Sequence, residues 1–430
     1  MRRGDALGLR AIADRFADAI APDLSNRVRD GRWVTILAWC LARSQEAFHA
    51  SDGRSVATRS EQRERYAWLR PLELMWVART ITLTEDWRDR SLAGQRRVRF
   101  WCENGRSSER FGMSLEQFRA YRQTGMYGGY RLAFRKWLGM TVAGNGWTPG
   151  PATNGLADWF EGKLGVARPG EDGLSARSAK LGSGKEDGWW LRQWKTFAQQ
   201  GRDADANTLP RRRDDFSVLP EAKLLKPLIF GNDPNGIRRI QVAREIEKSS
   251  ATDHLELCKH LGAVFADEPV IARLPRFSRL ADAGMAAMDL VAESLSEESH
   301  VALAKVASHP GAVEICGELM KAAKHWHEGS EMQLRHIETA HRFASAIPSG
   351  RPVDCLRALL QHHEVYGGGL RWFFLRNGRI EPRTPPRTGS SRYRFRLWSL
   401  CRLAAQCGVL RTMPAVLRAD AEATEEASDE

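Results

Sequence analysis

Apolar residues recur at helical spacing along most of this chain, and few stretches alternate as strands do. Leu7, Leu9, Ile12, Phe16 and Ile20 mark a first helix that Pro22 stops. Over residues 32–48 the apolar side chains of Trp33, Ile36, Leu37, Trp39, Cys40 and Leu41 cover nearly every side, the pattern of a helix central to its domain. A polar stretch at 51–59 predicts a loop. Tyr66, Leu69, Leu72, Met75, Trp76 and Val77 then predict a third helix over 60–83, kinked or split at Pro71.

The segment 114–165 has the most definite local order. Ser114 and Gln117 fit a capping box, so a helix should start there and end before Gly125. Tyr130, Phe134, Trp137 and Leu138 share one stripe of the next helix, and Gly128, Arg131 and Arg135 fall on another side, followed by Lys136. Gly139 is a natural stop. Residues 140–143 and 147–148 flank Gly144, Asn145 and Gly146, and Asn-Gly is the strongest short hairpin signal. Asn154 then fits the cap of a closing helix with Leu156, Trp159, Phe160 and Leu164 inward. Helix, glycine turn, basic helix, hairpin and helix is the order of a winged helix-turn-helix, in which the basic helix reads a DNA groove.

Residues 166–187 read as a linker, and Trp189, Trp190, Trp194 and Phe197 as a short helix packing back on a domain. The arginines at 211–213 are a solvated loop or a binding patch. From 237 to 366 the pattern predicts a helical bundle, with helices over 237–248, 252–264, 276–295, 297–308, 312–327, 330–346 and 353–365. Asn377 and Gly378 sit between Trp372–Leu375 and Arg379–Glu381, a second hairpin signal, and Phe395, Trp398, Leu403 and Ala404 mark a last helix ended by Gly408. The expected fold class is mainly α: a multi-domain helical protein with a winged-helix-like segment and two short β-hairpins. The expected domains are 1–165, a connecting segment 166–236, a His-rich bundle 237–366, a basic hairpin-helix segment 367–418, and an acidic tail 419–430.

Composition adds a charge argument. The chain has 430 residues and a formal net charge of +12, from 65 Lys and Arg against 53 Asp and Glu. Arginine is concentrated twice. Arg96, Arg97 and Arg99 lie in a segment, 88–110, that holds Phe100 and Trp101 and adjoins Trp87. Between 367 and 418 eleven Arg, including Arg376, Arg379, Arg392 and Arg394, face Glu381 alone. Arginines beside aromatics suit a surface that tracks phosphates and stacks bases, although a helix with its aromatics in the core has the same pattern. The seven Cys are scattered, with no CxxC pair, which argues for reduced thiols in a cytoplasm. No apolar run is long enough to span a bilayer, so a membrane is not an expected partner.

Catalytic signals are weak. Gly182, Gly184 and Lys185 invite a phosphate-loop reading, but Ala179 stands where the first Gly belongs, Glu186 follows the Lys, and no apolar strand precedes them. Ten of the eleven His lie between 254 and 363. Glu297 with His300, and Glu338 with His341, match the i, i+3 ligand pair of helical di-iron proteins, yet Glu early in a helix is also expected from the helix dipole. Neither a metal nor another cofactor is expected. The leading expectation is a non-enzymatic protein that binds double-stranded DNA through Gly128, Arg131, Arg135, Lys136 and Asn145, aided by the two Arg-rich segments. The alternatives are an assembly subunit whose basic surfaces meet protein partners and, less favoured, a helical metal-dependent enzyme or nuclease.

Two resemblances accompany these readings. The run LGMTVAGNGWTPGPATNGLADWF resembles the wing of bacterial winged-helix regulators, in which LGL, a glycine-bearing hairpin, LTP and a helix follow one another. On LGLRAIADRFADAIAPDLSNRVRDGRW, TGMYGGYRLAFRKWLGM and LRWFFLRNGRIEPRTPP the whole chain resembles large bacterial proteins of unknown function carried in phage-defence and mobile islands. That resemblance implies a subunit or DNA sensor of a multi-gene defence system.

Overall fold

The computed structural model describes residues 5–50, 59–90, 92–103, 125–166, 208–295, 299–328, 333–367, 371–383 and 393–418. The capping box at 114–117, the linker, the Trp-rich segment at 189–197, Glu297, Arg392 and the acidic tail lie outside them. The protein is mainly α. Its helices are α1 (Arg10–Ile20), α2 (Gly31–Ala50), α3 (Arg59–Leu83), α4 (Gln95–Glu103), α5 (Met126–Lys136), α6 (Pro151–Leu164), α7 (Ala222–Ile229) and α8 (Pro234–Lys248). There follow α9 (His254–Val264), α10 (Pro269–Ala272), α11 (Leu274–Ser294), α12 (Leu303–Ala307), α13 (Ala312–His327), α14 (Ile337–Ala346), α15 (Pro352–Tyr366) and α16 (Leu397–Gln406). Three short strands, β1 (Val301–Ala302), β2 (Phe373–Arg376) and β3 (Arg379–Pro382), form one sheet in the order β1-β3-β2.

Two compact units emerge, and both are discontinuous in sequence. Met1–Pro22, Lys248–Leu397 and Ala415–Leu417 make the first; Asp23–Glu247, Trp398–Pro414 and Arg418–Glu430 make the second. They cut across the contiguous division expected from the sequence. The reason is where apolar faces find partners. Phe16 of α1 stacks on Phe277 of α11 at 4.7 Å, and Phe277 meets Phe395 edge-on at 5.9 Å and Trp326 at 6.2 Å. The first helix is thereby part of a core built some 250 residues later in the chain, an offset that no local pattern reveals (about a whole domain's length).

In this first unit two adjacent histidines hold the segment before α1. Asp5 caps that helix, accepting from the amides of Leu9 at 3.1 Å and Arg10 at 2.8 Å. The buried His362 and His363 of α15 lie 3.1 Å from the Leu7 carbonyl and 2.8 Å from the Ala6 carbonyl. The Trp372 amide donates to Nε2 of His363 at 2.9 Å, so Nδ1 carries the proton that Ala6 accepts. Burial lowers the pKa of both rings. Between the ordinary and the lowered value the unfolded chain binds more protons than the folded one. This contribution to stability is therefore complete above about pH 6.5 and is lost as pH falls through the lowered values. Thermal denaturation from pH 7.5 to 5 should show the midpoint falling with acidification, and His363→Gln should flatten that slope. The same slope in His363→Gln and in wild type would refute the assignment.

Several sequence expectations change here. α3 continues through Pro71 without a break. Residues expected as a helix over 297–308 include the strand β1, because Val301 pairs with Ile380 and Ala302 with Arg379. The Asn377-Gly378 hairpin is present: Phe373 to Arg376 pair antiparallel with Pro382 to Arg379, and φ values of +48° and +75° at the two turn residues suit a primed turn.

The second unit is organised on α2, which packs against α3 and α6. Trp39 meets Trp76 edge-on at 6.1 Å and Phe160 at 6.5 Å, and its indole N–H donates to Glu161 at 2.8 Å. Arg43, almost wholly buried, reaches Glu161 at 2.6 Å, Asp158 at 2.9 Å and Glu46 at 2.6 Å, so α6 is tied to α2 by charge as well as by aromatic packing.

Candidate nucleic-acid interface

The basic helix expected to read DNA is α5, and its start is built unusually. Gly125 is extended and no neighbouring side chain caps the helix. Instead the buried Glu73 of α3 accepts from the Tyr127 amide at 2.8 Å. A Cβ on Gly125 would stand 2.2 Å from a Glu73 oxygen, so only glycine admits the carboxylate there. Burial raises the Glu73 pKa, while Arg70, 3.7 Å away, and the helix amide favour its charged form. The N-terminal turn of α5 is thus interior, with Met126, Tyr127, Gly129 and Tyr130 buried. A recognition helix ordinarily offers its N-terminal residues to the groove; here the exposed cations, Arg135 and Lys136, stand at the opposite end.

The loop after α5 closes on a single antiparallel bridge rather than on two strands. Residues 141–149 hold a short 3-10 turn, Val142–Gly144, and a single bridge between Thr141 and Pro149, with no strand pair among them. Asn145 is the cause. Its side-chain oxygen accepts from the amides of Trp147 at 2.7 Å and Thr148 at 2.9 Å, and its amide nitrogen donates to the Thr148 hydroxyl at 2.9 Å. These bonds curl the backbone that a two-residue hairpin turn would keep extended. Thr141 donates to the Phe134 carbonyl at 2.9 Å and accepts from the Gly146 amide at 3.1 Å, Tyr127 donates to the Gly146 carbonyl, and Thr153 donates to the Met140 carbonyl at 2.5 Å. The loop is therefore fastened to α5 on one side and to α6 on the other.

Two expected contact residues share that fastening. The Arg131 guanidinium lies 4.8 Å over the Trp147 ring, and Arg135 Nε donates to the Gly144 carbonyl at 3.2 Å. Gly128 is half-buried, and Asn145 is exposed although its polar atoms serve the loop. Leu138, placed on the apolar stripe by spacing, is 85% exposed because α5 ends at Lys136 and extended backbone at Trp137 turns the chain outward. Asn154 lies inside α6 rather than at its cap, since Gly150 and Pro151 start that helix.

In α4, Val98 and Trp101 face the core, Arg96 is exposed, and Arg97 and Arg99 are half-exposed. Arg99 lies 3.5 Å from Glu103 and 5.1 Å over Trp87, while Phe100 is 56% exposed. Arg376, Arg379 and Arg394 belong to the other unit. Arg376 and Arg379 are exposed on the hairpin, and Arg394 is half-buried.

The positive charge read from composition is partly internal. Among the described residues eleven arginines are buried, against the three buried carboxylates of Asp30, Glu73 and Glu221. Arg32 and Glu221 pair at 2.9 Å, both fully buried. Asp30 accepts from the Arg32 amide at 3.0 Å, the Gln406 amide group at 3.1 Å and the Arg211 amide at 2.8 Å, and Arg402 donates to the Arg212 carbonyl at 2.6 Å. Residues 211–213 are only partly solvated: Arg213 is buried and Arg211 half-buried, while the exposed Arg212 faces Asp86, Asp89 and Asp214. This network spans nearly the whole sequence and has no local signature.

Of the two candidate ligand pairs, Glu338 with His341 lies wholly within the described residues. His341 stacks on His327 at 5.7 Å and against Trp326, while Glu338 points to His336 at 3.9 Å. Among the described residues no group of three His, Cys, Asp or Glu is placed to hold a metal ion, and no helix is long and apolar enough to cross a membrane. All seven cysteines are free thiols. No protein-family description, curated protein or solved structure matches this chain.

Proposed function

We propose that this is a non-enzymatic DNA-binding protein that offers the C-terminal turn of α5 and the loop 141–149 to a double-stranded backbone. The observation that carries the reading is the division of α5. One face is locked in the core by Tyr127, Tyr130, Ala133 and Phe134, and Arg135 and Lys136 are exposed beside a loop that hydrogen bonds hold rigid. Cations on a preorganised element give phosphate contacts at little entropic cost. The exposed Arg96 and Phe100 on α4 supply a further cation and a stacking face of the kind such a surface uses.

Fluorescence anisotropy with a labelled duplex tests this. Binding should weaken steeply with salt, and Arg135→Ala/Lys136→Ala should reduce the slope of log K against log salt by about 2, near one unit per lost phosphate contact. Thermal stability should fall only slightly, because both side chains are exposed and the one bond lost is that of Arg135 to the Gly144 carbonyl. Absence of duplex binding by the wild type at low salt would overturn the reading.

A second reading is favoured by the apolar side chains beside these cations. Leu138 and Val142 are 85% and 51% exposed, which fits a protein partner with an acidic rim better than a phosphate backbone. Leu138→Ser, which removes the apolar side chain without adding charge, should leave DNA binding within a few fold if phosphates are the target, and sharply weaken partner association if they are not. The resemblance of the sequence to defence-island proteins implies a multi-subunit defence system as the setting for either activity, as a DNA sensor or as an assembly subunit.

A further inference from the structure

The β2–β3 hairpin carries an arrangement that its own folding disfavours. Arg376 and Arg379 are cross-strand partners immediately flanking the Asn377-Gly378 turn, and both are exposed. Residues directly opposite share a face with their side chains in reach of each other, and like charges placed so destabilise a sheet. Register assigns Phe374, Arg376, Arg379, Glu381 and Arg383 to this face, while Phe373 and Ile380 are buried on the other. The Arg376 and Arg383 guanidiniums lie 5.3 and 5.4 Å over the single Phe374 ring, which keeps them close together as cations. Only Arg376 has a carboxylate within reach among the described residues, Glu364 at 3.4 Å; Arg379 instead contacts His300 Nε2 at 3.4 Å. A rigid turn thus presents two arginines side by side, over an aromatic base, with little to neutralise the second.

We infer that this hairpin tip is a phosphate clamp, a second nucleic-acid contact in the first unit, in which Arg376 and Arg379 share the oxygens of a phosphodiester and Arg383 assists. A bound phosphate converts the repulsion between the two guanidiniums into attraction toward a common anion, and paired N–H donors suit phosphate geometry. The site goes beyond the α5 interface and does not depend on it.

The experiment uses the full chain and three proteins: wild type, Arg376→Ala/Arg379→Ala, and Arg135→Ala/Lys136→Ala. Anisotropy with a labelled duplex across a salt series should show the hairpin variant losing about two units of the log K against log salt slope. Its thermal midpoint in the absence of DNA should be unchanged or higher, since a repulsive pair has gone. Arg376→Lys/Arg379→Lys should restore the slope. An unaltered slope in the Ala variant, or a lowered midpoint, overturns the clamp, the latter by making the pair structural. Loss of slope in the hairpin variant alone supports the clamp and removes the α5 reading; loss in the α5 variant alone does the reverse. Inorganic phosphate raising the wild-type midpoint more than the Ala variant's, with no duplex binding by wild type, would overturn the nucleic-acid assignment in favour of a free anion.

Discussion

Glu221→Ala is expected to destabilise the protein by about 3–5 kcal/mol, the range for removing one partner of a buried ion pair. Glu221 and Arg32 are both 0% exposed and 2.9 Å apart, and the Thr35 hydroxyl donates to the second carboxylate oxygen at 3.1 Å. Burial pushes the Glu221 pKa up and the Arg32 pKa down, so each charge persists because of the other. Removing the carboxylate strands a guanidinium that has no route to water. The double substitution Arg32→Met/Glu221→Leu removes both charges and keeps apolar volume, and should regain most of the loss. Urea denaturation followed by tryptophan fluorescence measures all three proteins. A single variant within about 1 kcal/mol of wild type would mean that Arg32 is satisfied elsewhere.

Trp39→Ala should cost a comparable amount, about 3–5 kcal/mol for emptying a large buried aromatic site. Trp39 is fully buried, lies edge-on to Trp76 and Phe160, and ties its indole N–H to Glu161. Trp39→Phe retains most of the volume and should lose less than half as much, although Glu161 keeps its bonds to Arg43. The consequence reaches the proposed interface. Phe160 and Glu161 belong to α6, whose Thr153 fastens the loop after α5. Trp39→Ala should therefore lower duplex affinity together with stability, whereas Arg135→Ala/Lys136→Ala lowers affinity with little loss of stability. Equal affinity of Trp39→Ala and wild type, measured well below the unfolding midpoint, would show that the loop's geometry does not depend on α6.

Two Asn-Gly pairs show where legibility in the sequence ends. At Asn377-Gly378 the hairpin forms as its turn residues predict, because both adopt positive φ and flanking strands are available to pair. At Asn145-Gly146 the same dipeptide makes a single antiparallel bridge and no strand pair. Asn145 spends its oxygen on the amides of Trp147 and Thr148, and Tyr127 and Thr141 draw the loop onto α5. The difference lies in which distant groups are present to compete, and those are tertiary.

Periodicity was enough to determine the mainly helical character, the central burial of α2 and the inward stripe of Tyr130, Phe134 and Trp137, since a 3.6-residue repeat records which face meets a core. Composition revealed which segments are rich in arginine. Only the tertiary structure decided where that charge goes. Arg32, Arg70, Arg213 and Arg402 are buried while Arg135, Arg376 and Arg379 are exposed, and nothing in their immediate sequence separates the two groups. A guanidinium can be buried wherever carboxylates, carbonyls and aromatic rings from remote segments converge on it. That convergence is a property of the folded chain: Glu221, brought to Arg32 by long-range packing, holds the guanidinium that the composition alone would have assigned to a surface.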